Sequence, residues 1–521
     1  MRQSSCLTAI RLPATTVRFA ITATVRLAIV ATLLGPRAAS AQDETPTPQW
    51  RPVYHFTPTK NWTNDPNGPI WLKGEYLLYN QQNPFENKWG HMSWGHATSN
   101  DLLHWNRLPV AIPEMIDKAK GDTVWIFSGS AVWDEHNTSG FCKDGGCLVA
   151  IYTGHQPNLH KESQWIAYSN DGGKTFTQYA KNPVIDLNMR DFRDPNVFWY
   201  KPSNQWVMSV VLTNEHKVRF YGSHNLKDWE VLSDFGPQGF TESGWECPSL
   251  IQLPIEGGGS RWVLMNSAGG SARGSFMQYF IGSFDGKTFS NDNPASLVLP
   301  VDEGDCFYAA IPWNNMPNNQ KVLIGWMVPG KQKTFPWTGQ LSISRDMRLR
   351  RTAEGLRLIQ TPTAIVKKAL PEPKKTSLLQ FEGSSELSAA KAGNAFWIET
   401  DLEVTANTTA GFSIGRSADG QHETLIGYDA ARHELFVDRS KMGSGPAPDR
   451  IRQTIALDGV SGKIHLELLF DKSSLEVFVN GGEKVLTTYV YPDKGAAGCA
   501  AFSKGGSATL KNLKIWDLSK I

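Results

Sequence analysis

Three short acidic motifs stand far apart in this chain: Trp62-Thr63-Asn64-Asp65-Pro66-Asn67-Gly68, Arg193-Asp194-Pro195 and Trp245-Glu246-Cys247-Pro248. Each carboxylate comes one or two residues before a proline, with aromatic residues nearby. A pair of carboxyl groups in an aromatic-lined pocket is the equipment for breaking a glycosidic bond. Asn-Asp-Pro-Asn-Gly is turn-forming, so Asp65 is expected on a rigid bend. Glu246, between a Trp and a Cys, is expected to be at least partly buried, which would favour its protonated form and suit a general acid. Asp194 follows Arg193, and the adjacent positive charge is expected to keep it ionised, an acceptor for sugar hydroxyls. Each motif also has a plain structural reading: a turn cap for Asp65, a Glu–Arg pair for Glu246 and a surface ion pair for Asp194.

Residues this distant in sequence meet only if the fold brings them together, and a repeat indicates how. The phrases Ser99-Asn-Asp-Leu-Leu-His-Trp105, Ser169-Asn-Asp-Gly-Gly-Lys-Thr-Phe176, Ser223-His-Asn-Leu-Lys-Asp-Trp229 and Ser283-Phe-Asp-Gly-Lys-Thr-Phe289 recur, with a fainter echo at Ser344-Arg-Asp346; the starts lie 70, 54, 60 and 61 residues apart. Asp or Asn closes a tight turn and the terminal aromatic pins it to the next strand. Such a period holds about four short strands, the unit of a propeller blade. Five copies predict a five-bladed β-propeller, and the intervening runs, such as Leu148-Val-Ala-Ile-Tyr152 and Trp206-Val-Met-Ser-Val-Val211, read as strands. After Pro362 the text changes. Residues 363–378, with Pro371, Pro373 and several lysines, read as a connector. From residue 379 to 521 strands resume without the repeat, and Ile464–Phe470 and Leu475–Val479 form a hairpin; a β-sandwich is expected. The chain is thus read as all-β, with a propeller over 48–362 and a sandwich over 379–521.

With 521 residues, 52 Lys+Arg, 50 Asp+Glu and a net charge of +2, there is no basic surplus to bind a polyanion such as nucleic acid. Residues 1–41 read as a signal peptide: Arg2, Arg11, Arg18 and Arg26 precede a short apolar run, and Ala39-Ser40-Ala41 resembles a cleavage site. The run is too short for a confident membrane span, so a secreted or periplasmic protein without stable membrane insertion is expected. Cys142 and Cys147 bracket Lys-Asp-Gly-Gly, a turn able to close a small disulfide. No second Cys pair or nearby histidine pair supports a metal site there.

The ordered motifs resemble those of glycoside hydrolase family 32, the β-fructosidases. The resemblance runs from Tyr54-His55-Phe56 to the terminal strands. It includes Gln81 with Asn83-Pro84-Phe85, Trp89, Phe127-Ser128-Gly129-Ser130, Asp302 with Phe307-Tyr308-Ala309-Ala310, and Pro336-Trp337-Thr338-Gly339-Gln340. It implies a five-bladed propeller followed by a sandwich. It also implies Asp65 as nucleophile, Glu246 as acid/base and Asp194 as transition-state stabiliser beside Arg193. Asn64, Gln81, Trp89, Ser128 and Trp337 match positions lining a fructose pocket. A retaining mechanism is implied, with the Asp65 and Glu246 carboxyls about 5–5.5 Å apart and with no metal or organic cofactor. The stretch Trp89-Gly-His-Met-Ser-Trp94 resembles secreted levanases and exo-inulinases. The expected reaction is release of terminal β-D-fructofuranosyl units from levan or inulin, with some sucrose cleavage. Endo-levanase, invertase and fructosyltransferase activities use the same carboxylates. A non-catalytic fructan-binding protein is an alternative of another class, and it would lack one of the carboxylates. Trp397 and Trp516 raise a further question, whether the sandwich binds glycans or only braces the propeller.

Overall fold

The computed structural model describes residues 46–117, 122–271, 274–330, 334–387, 393–443, 448–460 and 462–521. The expected signal peptide lies outside them. Five antiparallel sheets follow one another from Asn61 to Pro362, and two six-stranded sheets complete the chain. The inner strands of the five sheets are Asn61–Leu72, Asp122–Asp134, Phe192–Tyr200, Glu246–Pro254 and Phe307–Pro312. Each touches the next, and the fifth touches the first, so the five sheets close round an axis as propeller blades. A two-stranded parallel pairing, Asn61↔Trp337 and Trp62↔Thr338, ties late chain to the first blade.

The recurring phrase is the turn between the third and fourth strands of a blade. In the first copy Ser99 Oγ accepts from the Asp101 and Leu102 amides, and Asp101 accepts from Leu103 and His104. Asp171, Asn225 and Asp285 do the same at the next three turns. The side chain replaces backbone partners that a tight turn leaves free, which is why the phrase recurs. The fifth echo differs. Ser344-Arg-Asp346 opens the third strand, Arg345–Thr352, instead of following it. Asp346 there accepts from Thr363 Oγ1 (2.8 Å) and the Ala364 amide (3.0 Å), bracing the start of a short helix, Ala364–Ala369. That helix and a strand starting at Lys374 occupy most of the segment expected as a connector. The run of lysines is a polar face of ordered structure, not a spacer.

The two last sheets face each other across a core that includes Phe396, Ile398, Phe412, Ile426, Leu466 and Leu468. Trp397 points out of that core. It is fully buried in a second cluster with Phe478 and Leu469 of the sandwich and Tyr76, Leu78 and Ile324 of the propeller, and Trp516 packs against it. Both tryptophans therefore brace the two parts against each other. Cys142 and Cys147 form a disulfide, while Cys247, Cys306 and Cys499 are buried thiols.

Candidate active site

The same irregularity interrupts every inner strand near one end. Its register slips between Thr63 and Pro66, Ile126 and Gly129, Arg193 and Asn196, Glu246 and Ser249, and Tyr308 and Ile311. A bulge of this kind leaves residues out of the ladder and turns their side chains. The residues left out are Asn64-Asp65, Phe127-Ser128, Asp194-Pro195, Cys247-Pro248 and Ala309-Ala310. The five blades thus present their motifs at one mouth of the axis. The prolines follow from the same geometry: a bulge is one of the few sheet positions where a missing N–H costs no ladder bond. Pro66, Pro195 and Pro248 together line a narrow axial void beneath the carboxylates. Asp194, Cys247 and Ala309 have φ of 65°, 47° and 48°, an arrangement that L residues adopt only where the surroundings enforce it. For Asp194 the enforcement includes a bond from its amide to Thr153 Oγ1 (2.9 Å). Gly129 is obligatory for close approach, since a Cβ there would lie 2.0 Å from the Ile151 carbonyl oxygen.

Asp65 and Asp194 converge on Cys247, next to Glu246 in the chain. Its thiol reaches Asp65 Oδ2 at 3.7 Å and Asp194 Oδ2 at 3.5 Å, and its amide donates to Asp194 Oδ2 at 2.9 Å. Burial first, then the carboxylates, push the thiol well up, so it stays a donor. Asp65 also accepts from Ser128 Oγ (2.5 Å) and Asn64 Nδ2 (3.1 Å). Behind these, Gln81 Nε2 donates to Ser128, and Trp62 Nε1 donates to Asn64 Oδ1 at 2.9 Å. Burial outweighs the donors and, with the charge of Glu246, raises Asp65 to about 6. Asp194 is raised too, by burial first and by Glu246 next, with Arg193 only partly offsetting them.

One expectation about charge is corrected. Arg193 makes its bonds to Glu162 (2.9 Å), Glu246 (3.0 Å) and Asp191, and none of them goes to Asp194. The bulge turns the neighbours apart, so sequence adjacency does not become an ion pair and Asp194 is not held ionised. Glu246 is partly buried, its side chain 31 % exposed at the mouth. It is held by Arg193 and by the phenol of Tyr308, which donates at 2.7 Å. Burial first and the charge of Glu246 next keep that phenol protonated.

The expected pocket residues divide into two kinds. Asn64, Gln81 and Ser128 are buried around Asp65. Trp89 is 51 % exposed and stands at the rim, edge-on to Trp125 and Phe127. With Phe127, His155, Glu162, Asp191 and Arg193 it lines a pocket of about 160 Å³. Trp337 is 2 % exposed, with the Arg51 guanidinium stacked 3.9 Å above its ring, so what it offers is packing and its backbone pairing with Asn61. His55 and His96 are not in the site. His55 bonds Asp471 and Glu476, and the His96 ring stacks on Tyr79. Sequence reasoning assigned no role to Tyr308, Glu162, Asp191 or Cys247. The signal available was blade equivalence, because Phe307-Tyr308-Ala309-Ala310 sits in the fifth blade where Arg193-Asp194-Pro195 sits in the third.

One consequence is testable by pH. Ser128 favours ionised Asp65, so Ser128→Ala should move the acid limb of kcat/KM upward from its wild-type position near 6. A limb unmoved by the substitution would remove Ser128 from the control of Asp65.

Carboxylates from three blades of a five-bladed propeller, gathered at one mouth of its axis beside an aromatic rim, define a glycosidase. Residues 55–362 match the model of the glycosyl hydrolases family 32 N-terminal domain, and residues 363–517 match the family 32 C-terminal one. The chain belongs to glycoside hydrolase family 32. It is 41 % identical over 489 residues to a levanase of Bacillus subtilis (strain 168), spanning 91 % of this chain and 71 % of that protein. It is 37 % identical over 503 residues to the extracellular exo-inulinase of Aspergillus ficuum, spanning 88 % and 92 %. The crystal structure of exo-inulinase from Aspergillus awamori superposes with a TM-score of 0.80 at 36 % identity, covering 91 % of this chain and 98 % of that one.

Proposed function

We propose that this enzyme releases terminal β-D-fructofuranosyl units from levan or inulin, and cleaves sucrose, with retention of configuration. The observation that carries the mechanism is the gathering of Asp65 and Asp194 round Cys247, next to Glu246, at a mouth open to solvent. Burial and the charge of Glu246 favour a retained proton on Asp194. Asp65, dressed by three donors that favour its charge, is the member suited to attack the anomeric carbon. Glu246, at the open side, is the member placed to give a proton to the departing glycosidic oxygen. The Asp65–fructosyl ester so formed is then opened by water, which passes its proton back to Glu246. Asp194 accepts from the fructose hydroxyls. Arg193 holds Glu246 in place, and Trp89 offers its exposed face to the leaving part of the chain. These steps use the chain's own groups and one water. The similarity to an extracellular exo-inulinase, together with the apolar leader, supports action outside the cytoplasm. Among the described residues no helix is long and apolar enough to cross a membrane.

Chromatography of the products from levan, inulin and sucrose tests this reading, with Glu246→Gln as control. Free fructose from the polymers, lost in the variant, is expected. NMR of the first-formed fructose should show the β-anomer. Oligosaccharide products would instead mean endo cleavage or transfer, and no products from any of the three would leave a binding protein.

A further inference from the structure

A second cavity lies away from the carboxylates. It measures about 630 Å³ and lies at the other mouth of the axis, between the third, fourth and fifth blades. The inner strand Phe192–Tyr200 runs from one mouth to the other, and the six residue steps from Asp194 to Tyr200 span about 20 Å of strand. Phe198, Trp199, Tyr200 and Trp262 line the cavity and each keeps part of its surface open. None of its lining residues is acidic, and Lys201 and Lys321 are both present, so a cationic ligand is disfavoured.

The amides narrow the choice. Asn314 and Asn315 donate their NH₂ groups to the Ala131 carbonyl (2.8 Å) and the Trp71 carbonyl (3.0 Å), and Gln252 donates to Ser260 (2.9 Å). Each of the three also carries a carbonyl oxygen that accepts from a hydroxyl, and Asn315 and Gln252 each keep a second N–H to donate. Asn196 is 5 % exposed, lines both this cavity and the axial void, and makes no side-chain hydrogen bond among the described residues. Its amide opens onto these spaces and is available to a hydroxyl there. Lys321 Nζ has Asn319 Oδ1 as its partner, at 2.7 Å. Aromatic faces, spare carbonyl oxygens and one ammonium donor together match a neutral, hydroxyl-rich ligand with apolar C–H faces.

We propose that this far mouth is a second saccharide site, holding a neutral fructan segment while a chain end is cut at the carboxylates. The proposal rests on the fructosidase reading above for the identity of the polymer. A polymer held at a second site dwells longer near the enzyme, which sucrose, bound only at the carboxylates, does not.

The test uses the full chain with Trp199→Ala and, separately, Lys321→Ala. The second removes an ammonium that burial already disfavours, so it is not expected to harm folding. Expected for both is a KM for inulin or levan raised about tenfold, with kcat and KM for sucrose unchanged. Calorimetric titration of the Glu246→Gln variant with inulin oligosaccharides should give two sites per chain, falling to one when Trp199→Ala is added. A single site both with and without Trp199→Ala, or polymer and sucrose KM rising together, would overturn the proposal. Hydrolysis of sucrose and inulin by the unaltered enzyme is assayed alongside. Its absence would sink the fructosidase reading, whereas its presence with a single titratable site would sink only the second site.

Discussion

Asp65→Asn is expected to leave a folded protein whose turnover of sucrose and inulin falls by about 10⁴-fold or more. Asparagine keeps the shape and an acceptor oxygen for Ser128, but it cannot form the ester. The substitution should also stabilise the fold. The Asp65 pKa is raised in the folded protein, to about 6, above its ordinary value of 3.8. A raised carboxyl pKa means that ionisation opposes folding, and the penalty grows as pH rises through that interval. At pH 7 its removal is worth about 1–3 kcal/mol, allowing for the surface Asp65 keeps toward the pocket. Activity lost while the melting temperature holds or climbs is the signature of a site maintained against stability. Glu246→Gln separates the two roles. A fructosyl donor with a leaving group that needs no proton, such as fructosyl fluoride, should still load Asp65 in this variant and should fail in Asp65→Asn. Loading in both variants, or Asp65→Asn activity within tenfold of the unaltered enzyme, would rule out Asp65 as nucleophile.

The second large effect lies where propeller meets sandwich. Arg345→Ala should destabilise the protein by about 3–5 kcal/mol, read as a clear fall in melting temperature. Arg345, in the fifth blade, is fully buried. It bonds Glu476 (3.1 Å), Asp302 (3.0 Å) and Thr487 (2.6 Å), and its guanidinium lies 4.1 Å from the Phe307 ring centre. Glu476 in turn bonds His55 (2.8 Å) and the Ile343 amide (2.8 Å). Asp471 receives three successive amides, Val53 to His55. Without Arg345, the carboxylates of Glu476 and Asp302 are left buried with too little positive charge. Arg345→Met with Glu476→Gln should cost less than Arg345→Ala, because it removes charge from both sides. The network also sets an alkaline limit. Burial lowers the His55 pKa, but Asp471 and Glu476 overcome it and raise it to about 9, above the ordinary 6.5. Stability from this raised group is full below pH 6.5 and is lost as pH climbs through 9. A loss under 1 kcal/mol for Arg345→Ala would mean that apolar packing alone holds the two parts together.

Much of this was legible before any coordinates. The all-β class, the blade turns at Ser99, Ser169, Ser223 and Ser283, and the hairpin at Asp471 depend on side chains bonding their own neighbourhood, and such chemistry is written in adjacent residues. The carboxylate motifs were legible for the same reason, since a bulge in an inner strand tolerates the proline that a regular ladder excludes. The fifth turn phrase was misplaced because Ser344-Arg-Asp346 has the letters of the turn but a partner, Thr363, that lies elsewhere.

The elements, their repeat and the three acidic motifs follow from contacts a few residues apart, and so are readable in the order of the residues. Packing in three dimensions settles the rest: Arg193 serves Glu246 instead of Asp194, Glu246 is the more open and Asp194 the enclosed carboxylate, Trp337 and Trp397 are packed in the interior, and Arg345 ties the two parts together. Each of these depends on groups 50 or more residues away or on the direction a bulge gives a side chain. Charge and burial act through space, and the chain's order does not encode which distant groups share that space.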